Sequence, residues 1–151
     1  IYPIRRKRYG FPGAPRGPFR VLTRSGCVVE YPAATAELAH SCRVPVAGGG
    51  YLRALPVGVV LWGIRQLERS GRPAVLYLHP WELDADQPRI PAPIIKRTLH
   101  YWNLNKAEEK WRVVLSRLQV DRLSALSFDE LPTMTVEQLR VLGRGKRESV
   151  Q

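Results

Sequence analysis

Carboxylates are missing from the first 29 residues of this 151-residue chain, where Arg5, Arg6, Lys7, Arg8, Arg16, Arg20 and Arg24 stand without an acidic neighbour. Cysteine is scarce. Cys27 and Cys42 have no partners at metal-ligand spacing, which excludes a zinc finger, and two free buried thiols are expected. No apolar run approaches the ~20 residues that a membrane helix needs, so no span is expected. A Met start and a charged-then-apolar leader are both absent, so either the start has been removed or the sequence is a fragment. Acid is sparse beyond the N-terminus too: the first Asp is Asp84. The three histidines, His40, His79 and His100, lie 39 and 21 residues apart, so no H-x-x-x-H pair exists.

What is abundant is positive charge, with a formal net of +11 and a second basic cluster at Arg140, Arg144, Lys146 and Arg147. The R-R-K-R run beside aromatics suggests nucleic-acid binding, yet no RNP signature, helix-turn-helix pattern or zinc finger accompanies it. A basic surface serves an acidic polysaccharide equally well, or is simply solvated. The hydrophobic content of 44% is enough for one domain with its own core.

Residues 1–20 are rich in Pro, Gly and Arg and read as extended or looped. Cys27–Tyr31 reads as a short strand that Pro32 ends, and Ala33–His40 as a short helix or turn. A helix is expected over Val57–Ser70, with Val57, Val60, Leu61, Ile64 and Leu67 on one face and Gly71 at C′. A further helix starts near Asn105, where Asn105 and Glu108 have capping-box spacing, and carries a stripe of Ala107, Trp111, Val114, Leu115 and Leu118. A last one covers Val136–Leu142 with Thr135 as cap, its end expected to fray.

The stretch Pro73–Arg89, P-A-V-L-Y-L-H-P-W-E-L-D-A-D-Q-P-R, is the most informative. An unbroken apolar run bounded by turn formers suits a strand buried on both faces, as in a parallel sheet. In such folds functional groups sit where strands end, and His79 is the first polar residue after the run. Trp81 offers a flat apolar face for a sugar, and Glu82 a carboxylate to orient the imidazole. Upstream, A-G-G-G-Y lacks the Walker Lys-Ser/Thr and the dinucleotide spacing, so Gly48, Gly49 and Gly50 read as a backbone turn beside a pocket. Tyr51 and Arg53 follow within reach of a sugar. Strand, loop, helix, strand is the grammar of an α/β fold with a parallel sheet or barrel.

The segments I-Y-P-I-R (Ile1–Arg5), R-Y-G-F-P-G-A-P-R (Arg8–Arg16), P-V-A-G-G-G-Y-L-R (Pro45–Arg53), Gly71–Arg89 and H-Y-W-N-L (His100–Leu104) stand in an order that resembles one known group. They look like the C-terminal half of NodB-homology polysaccharide deacetylases, in the bacterial subgroup linked to exopolysaccharide and exosortase loci. The resemblance covers about residues 1–118, with 119–151 as a divergent helical tail. It implies a partial (β/α) barrel whose N-terminal half is missing. It also implies hydrolysis of N-acetyl groups on an exopolysaccharide by a divalent metal, zinc in most members, held by one Asp and two His. A second Asp acts as base, and a His after a Leu-x-His strand end acts as acid on the departing amine. Tyr77-Leu78-His79 matches that last motif, so the resemblance makes His79 the general acid; Trp81, Glu82, Tyr51 and Arg53, read from their residue types and positions, form the candidate substrate-binding set. The metal and base residues of the family precede the region that Ile1 matches, so the chain alone is expected to hold no catalytic metal and to hydrolyse nothing. Two departures stand out: the family has His-Asp where this chain has Arg6 and Lys7, and often Asp where Gly13 stands.

Three readings follow. The chain is the back half of a deacetylase, completed by an N-terminal half and acting on a polysaccharide. Alternatively it is a non-catalytic carbohydrate-binding remnant, or a basic protein whose nucleic-acid binding would fall steeply with salt. Bacterial cytoplasm and periplasm both remain open as its location.

Overall fold

A computed structural model of the chain describes residues 1–5, 10–39, 42–123 and 130–144. Arg6, Lys7 and Arg8 of the R-R-K-R run, Lys146 and Arg147 of the second basic cluster, His40 and Gly145 lie outside the described residues.

The chain opens with an extended segment and then two hairpins. Strand β1 (Phe19–Thr23) turns through Gly26, at φ 150°, into β2 (Gly26–Glu30). Strands β3 (Thr35–Ala39) and β4 (Cys42–Pro45) form the second antiparallel pair, with an irregular register between Glu37 and Ala39. Helices α1 (Gly49–Ala54) and α2 (Val57–Arg69) follow, then an extended passage over 72–79 and a 3-10 turn at Pro80–Leu83. Helices α3 (Ile94–Tyr101) and α4 (Ala107–Leu115) come next. Strand β5 (Thr133–Thr135) returns to pair in parallel with β1, giving the order β2-β1-β5, and leads into α5 (Val136–Arg144).

The described residues form a small α/β fold with one three-stranded and one two-stranded sheet, which corrects the expectation of a partial (β/α) barrel. The misreading has a physical origin at residues 74–78. That run was expected to be a strand buried on both faces. Here it makes a single parallel bridge, Ala33 to Val75, with the Ala34 N–H donating to the Val75 carbonyl at 3.0 Å. Ala74, Leu76 and Leu78 pack inward, while Val75 and Tyr77 line an open pocket on the other side. A continuous apolar run therefore conceals a period of two, because the outward positions carry Val and Tyr instead of polar residues.

Two apolar clusters meet along this passage. One gathers Ala33, Ala34, Ala36, Val46, Ala47 and Leu67; the other Leu52, Val60, Leu61, Ile64, Trp111 and Val114. Leu55, Ala74 and Leu76 touch both. Helix α2 has the stripe its sequence prescribes, with Val60, Leu61, Ile64 and Leu67 buried, and Gly71 at φ 68° ends it. Gly63 lets α2 approach the second hairpin, since a Cβ there would stand 2.8 Å from Val46.

Elsewhere the local signals divide. Residues 33–40, read as helix or turn, supply β3: the Gln66 side chain accepts from the Glu37 N–H (2.9 Å) and donates to its carbonyl (3.0 Å), acting as a strand neighbour from α2. Asn105 is not the cap of α4, which is entered through a 3-10 turn at Leu104–Lys106. Leu115, assigned to the buried stripe, is 43% exposed. The thiols of Cys27 and Cys42, expected to be buried, are free and exposed. Thr135 does cap α5, its Oγ1 accepting from the Gln138 N–H at 3.2 Å while Gln138 Oε1 accepts from the Thr135 N–H at 2.8 Å. That helix lies over the Phe11–Gly13 loop, where any Cβ on Gly13 would come within 2.6 Å of Leu142. A side chain such as Asp has no room there. No helix among the described residues is long and apolar enough to cross a membrane.

Leu67 is fully buried in the first cluster, so Leu67→Ala is expected to destabilise the fold by about 2–5 kcal/mol in chemical denaturation. Leu115→Ala, at an exposed position of α4, should cost less than about 1 kcal/mol.

Candidate functional site: a row of rings over a buried ion pair

His79 is extended (φ −97°, ψ 141°), as the residue before a proline prefers, and Pro80 opens the 3-10 turn from its first position. Glu82 reaches back so that its Oε2 accepts from the His79 backbone N–H at 2.9 Å. This is the reciprocal arm of a capping box, so the carboxylate holds the backbone of His79 and not its ring. Asp84 Oδ1 accepts from the Asp86 N–H at 3.1 Å, and Gln87 Nε2 donates to the Trp81 and Asp84 carbonyls. The acidic stretch after Trp81 is thus a self-bonded turn.

Arg53 and Glu82 are each 3% exposed and face each other, with Nη2 3.6 Å from Oε1. The same guanidinium donates to the carbonyls of Gly49 (3.3 Å), His100 (2.6 Å) and Trp102 (3.2 Å). The last two stand at the C-terminal end of α3, where helix carbonyls lack partners of their own. Burial pushes the Arg53 guanidinium below its ordinary value, and the Glu82 charge opposes that shift. Both residues, read from sequence as sugar contacts, have their polar atoms committed inside the protein.

The glycine triplet is built around this pair. Gly48 takes φ 89°, open to glycine at no steric cost, and a Cβ on it would stand 2.8 Å from the Tyr77 hydroxyl. A Cβ on Gly49 would overlap the Glu82 carboxylate itself. At the far end of α1, Lys110 Nζ donates to the carbonyls of Leu52 (3.2 Å), Arg53 (2.9 Å) and Leu55 (3.0 Å). Burial, and secondarily Lys106, lower the proton affinity of this ammonium. Asn103, at φ 50°, donates from Nδ2 to the Arg53 carbonyl at 3.2 Å.

Above the pair runs a row of rings. Trp81 meets two imidazoles: His100 stacks on it with centroids 4.3 Å apart and planes 13° apart, and His79 lies near-parallel at 6.1 Å. Arg53 Cζ sits 5.4 Å from the Trp81 ring centre. Tyr101 meets His100 edge-on at 4.6 Å, and Tyr77 meets His79 edge-on at 5.8 Å. Tyr2 continues the row, 6.2 Å from Tyr77 and 6.1 Å from Tyr51, with its hydroxyl donating to the Ala47 carbonyl. Beside Tyr2 and Tyr77 opens a pocket of about 410 Å³ that Phe11, Tyr31 and Val75 also line.

Of the five residues singled out in the sequence, His79, Trp81 and Tyr51 thus belong to this row, while Arg53 and Glu82 lie under it. His100, Tyr2 and Tyr77 are added by the fold. The H-Y-W-N-L segment signalled His100, but its stacking on Trp81 required bringing residue 100 to residue 81. The exposed rings of Tyr77 and His79 can offer surface to a sugar, whereas one face of Trp81 is already taken by His100, and two imidazoles are at hand for a proton transfer. No group of three or more His, Cys, Asp or Glu able to hold a metal ion occurs among the described residues.

A family model described as a domain of unknown function, DUF3473, matches residues 1–139, and the chain belongs to that family. Its match includes the ring row and β5, and its description does not connect it with NodB deacetylases. No curated protein and no solved structure matches the chain.

Gly49→Ala is expected to force Glu82 away from α1 and to destabilise the domain by about 2–4 kcal/mol, a thermal-melt comparison being the check. Gly58→Ala serves as reference, since a Cβ there meets nothing within 4 Å.

Proposed function

We propose that this domain is the C-terminal part of a metal-dependent polysaccharide deacetylase acting on N-acetyl groups of an exopolysaccharide. It contributes a sugar-binding ring row and the His79 imidazole as general acid. The observation that carries the reading is His79 itself: exposed, flanked by Tyr77 and Trp81, and held by its backbone to Glu82 beside a pocket lined by aromatic residues. An amine leaving group needs a proton at the transition state, and an imidazole can supply it. The exposed rings of Tyr77 and His79 suit a pyranose, whose C–H face packs on an aromatic surface. Arg53 and Glu82 act here as positioning residues, fixing Trp81 and the His79 backbone.

The metal, zinc by family resemblance, and the base would come from an N-terminal half, in the same polypeptide or a second one. The domain alone binds substrate and hydrolyses nothing. A second reading, a carbohydrate-binding domain without chemistry, is favoured by the row of rings, because stacking needs no metal.

The two separate kinetically in the gene product that carries this domain, assayed on N-acetylglucosamine oligomers. His79→Ala should lower kcat by about 10²–10⁴-fold and leave KM within a few-fold. A deacetylase whose kcat is unchanged by His79→Ala would leave only the binding reading, and absence of deacetylation in that product would remove the enzyme reading altogether.

A further inference from the structure

A second cavity, of about 580 Å³, opens away from the ring row between the 13–18 segment, the β3–β4 hairpin, Gly71–Pro73 and residues 131–134. Among the described residues that line it, three are arginines, Arg16, Arg43 and Arg72, against one carboxylate, Glu37. The imbalance is built into the fold. Arg16 is 8% exposed and is held by Glu37 Oε2 (3.0 Å), the Thr35 carbonyl (2.6 Å) and Gln66 Oε1 (3.3 Å). Arg43 donates through Nη1 to the carbonyls of Pro3 (3.4 Å), Pro12 (3.1 Å) and Ala14 (2.9 Å). The stem of Arg72 packs on Gly17, where a Cβ would stand 3.1 Å away.

These bonds leave something over. The Nε atoms of Arg16 and Arg43 are both buried and have no hydrogen-bond partner among the described residues. Arg43 Nε comes no closer than 4.0 Å to Glu37, an ion-pair distance but not a hydrogen bond. Both Nε atoms lie behind the cavity wall, out of a ligand's reach, so what the cavity presents is the positive charge of three guanidinium groups, of which Arg43 and Arg72 both oppose the charge on Arg16. Guanidinium forks match carboxylate and phosphate oxygens, and three of them facing one Glu leave room for a further negative charge. The other walls, Pro15, Pro18, Pro73, Leu131 and Met134, are apolar and suit the body of a small ring.

We propose that this cavity is a binding site for a small organic oxyanion, a carboxylate or phosphate group carried on a compact body such as a sugar acid. The site is separate from the ring row and does not depend on the deacetylase reading. Arg16 and Arg43 form its fixed floor, and Arg72 closes on the ligand from the rim.

The test uses the whole chain labelled with nitrogen-15, with the arginine Nε–H resonances followed during titration with glucuronate, inorganic phosphate and glucose. Glucuronate or phosphate should shift the Arg16 and Arg43 signals saturably, while neutral glucose should not. Saturation by glucuronate alone assigns a carboxylate ligand, and saturation by phosphate assigns free phosphate or a phosphate ester. Because Arg16 and Arg43 also hold the fold, the informative variant is Arg72→Ala, which should stay folded and weaken binding about tenfold, the loss of one charge-assisted contact. No saturable shift with either anion, equal response to glucose, or undiminished affinity in folded Arg72→Ala would overturn the proposal.

Discussion

The buried ion pair between Arg53 and Glu82 is the constraint on which the rest of the site depends. Removing two charges from water costs several kcal/mol per ion, and the mutual attraction repays this only when the remaining donors and acceptors are also satisfied. That condition explains the neighbourhood. Arg53 spends its other donors on the carbonyls of Gly49, His100 and Trp102, and Glu82 accepts the His79 N–H. A lysine could not serve, because its compact ammonium lacks the planar fork that reaches four groups in different directions. One side chain thereby joins the first turn of α1, the exit of α3 and the turn after His79.

Several sequence features that look independent are consequences of this one contact. The carboxylate needs an α1 without a side chain at position 49. Asn103 adopts a left-handed conformation to turn the chain back under Arg53, and Lys110 satisfies the carbonyls where α1 ends. The ring row then rests on a framework whose backbone is fixed from below. Such preorganisation is what a binding or proton-transfer site requires, since ring faces a few tenths of an ångström out of place lose both stacking and reach. The proposed role of His79 draws its force from this support.

Legibility in the sequence followed the range of the interactions. Helix α2, with its apolar stripe and terminal Gly71, strand β2 before Pro32, and the capped start of α5 depend on neighbours within a few residues, and these were readable. Residues 33–40 were not, because Thr35–Ala39 becomes a strand by pairing with β4 on one side and bonding Gln66, a partner some thirty positions away, on the other. The 74–78 run misled for a related reason. Its outward positions carry Val75 and Tyr77 to line a pocket, which erases the polar alternation of a half-buried strand and suggests a barrel sheet that the described residues do not form. At the site, the exposed group after an apolar run pointed to His79 and Trp81, whose rings the fold sets near-parallel 6.1 Å apart. That Arg53 and Glu82 would be each other's partners was not readable, since charge and spacing alone cannot distinguish a buried pair from two sugar contacts.

The claim that this ion pair holds the ring row can be measured directly through ring-current shifts of the His100 imidazole protons. Stacked at 4.3 Å on Trp81, they should resonate well upfield of their unstacked positions. Replacing both partners together, as Arg53→Met with Glu82→Leu, removes the charges without leaving either one unpaired, so the domain should still fold. In that double variant the upfield shift is predicted to collapse toward unstacked values. If the fold persists and the His100 shift stays where it was, the ring row stands without the ion pair and the account is wrong at its base.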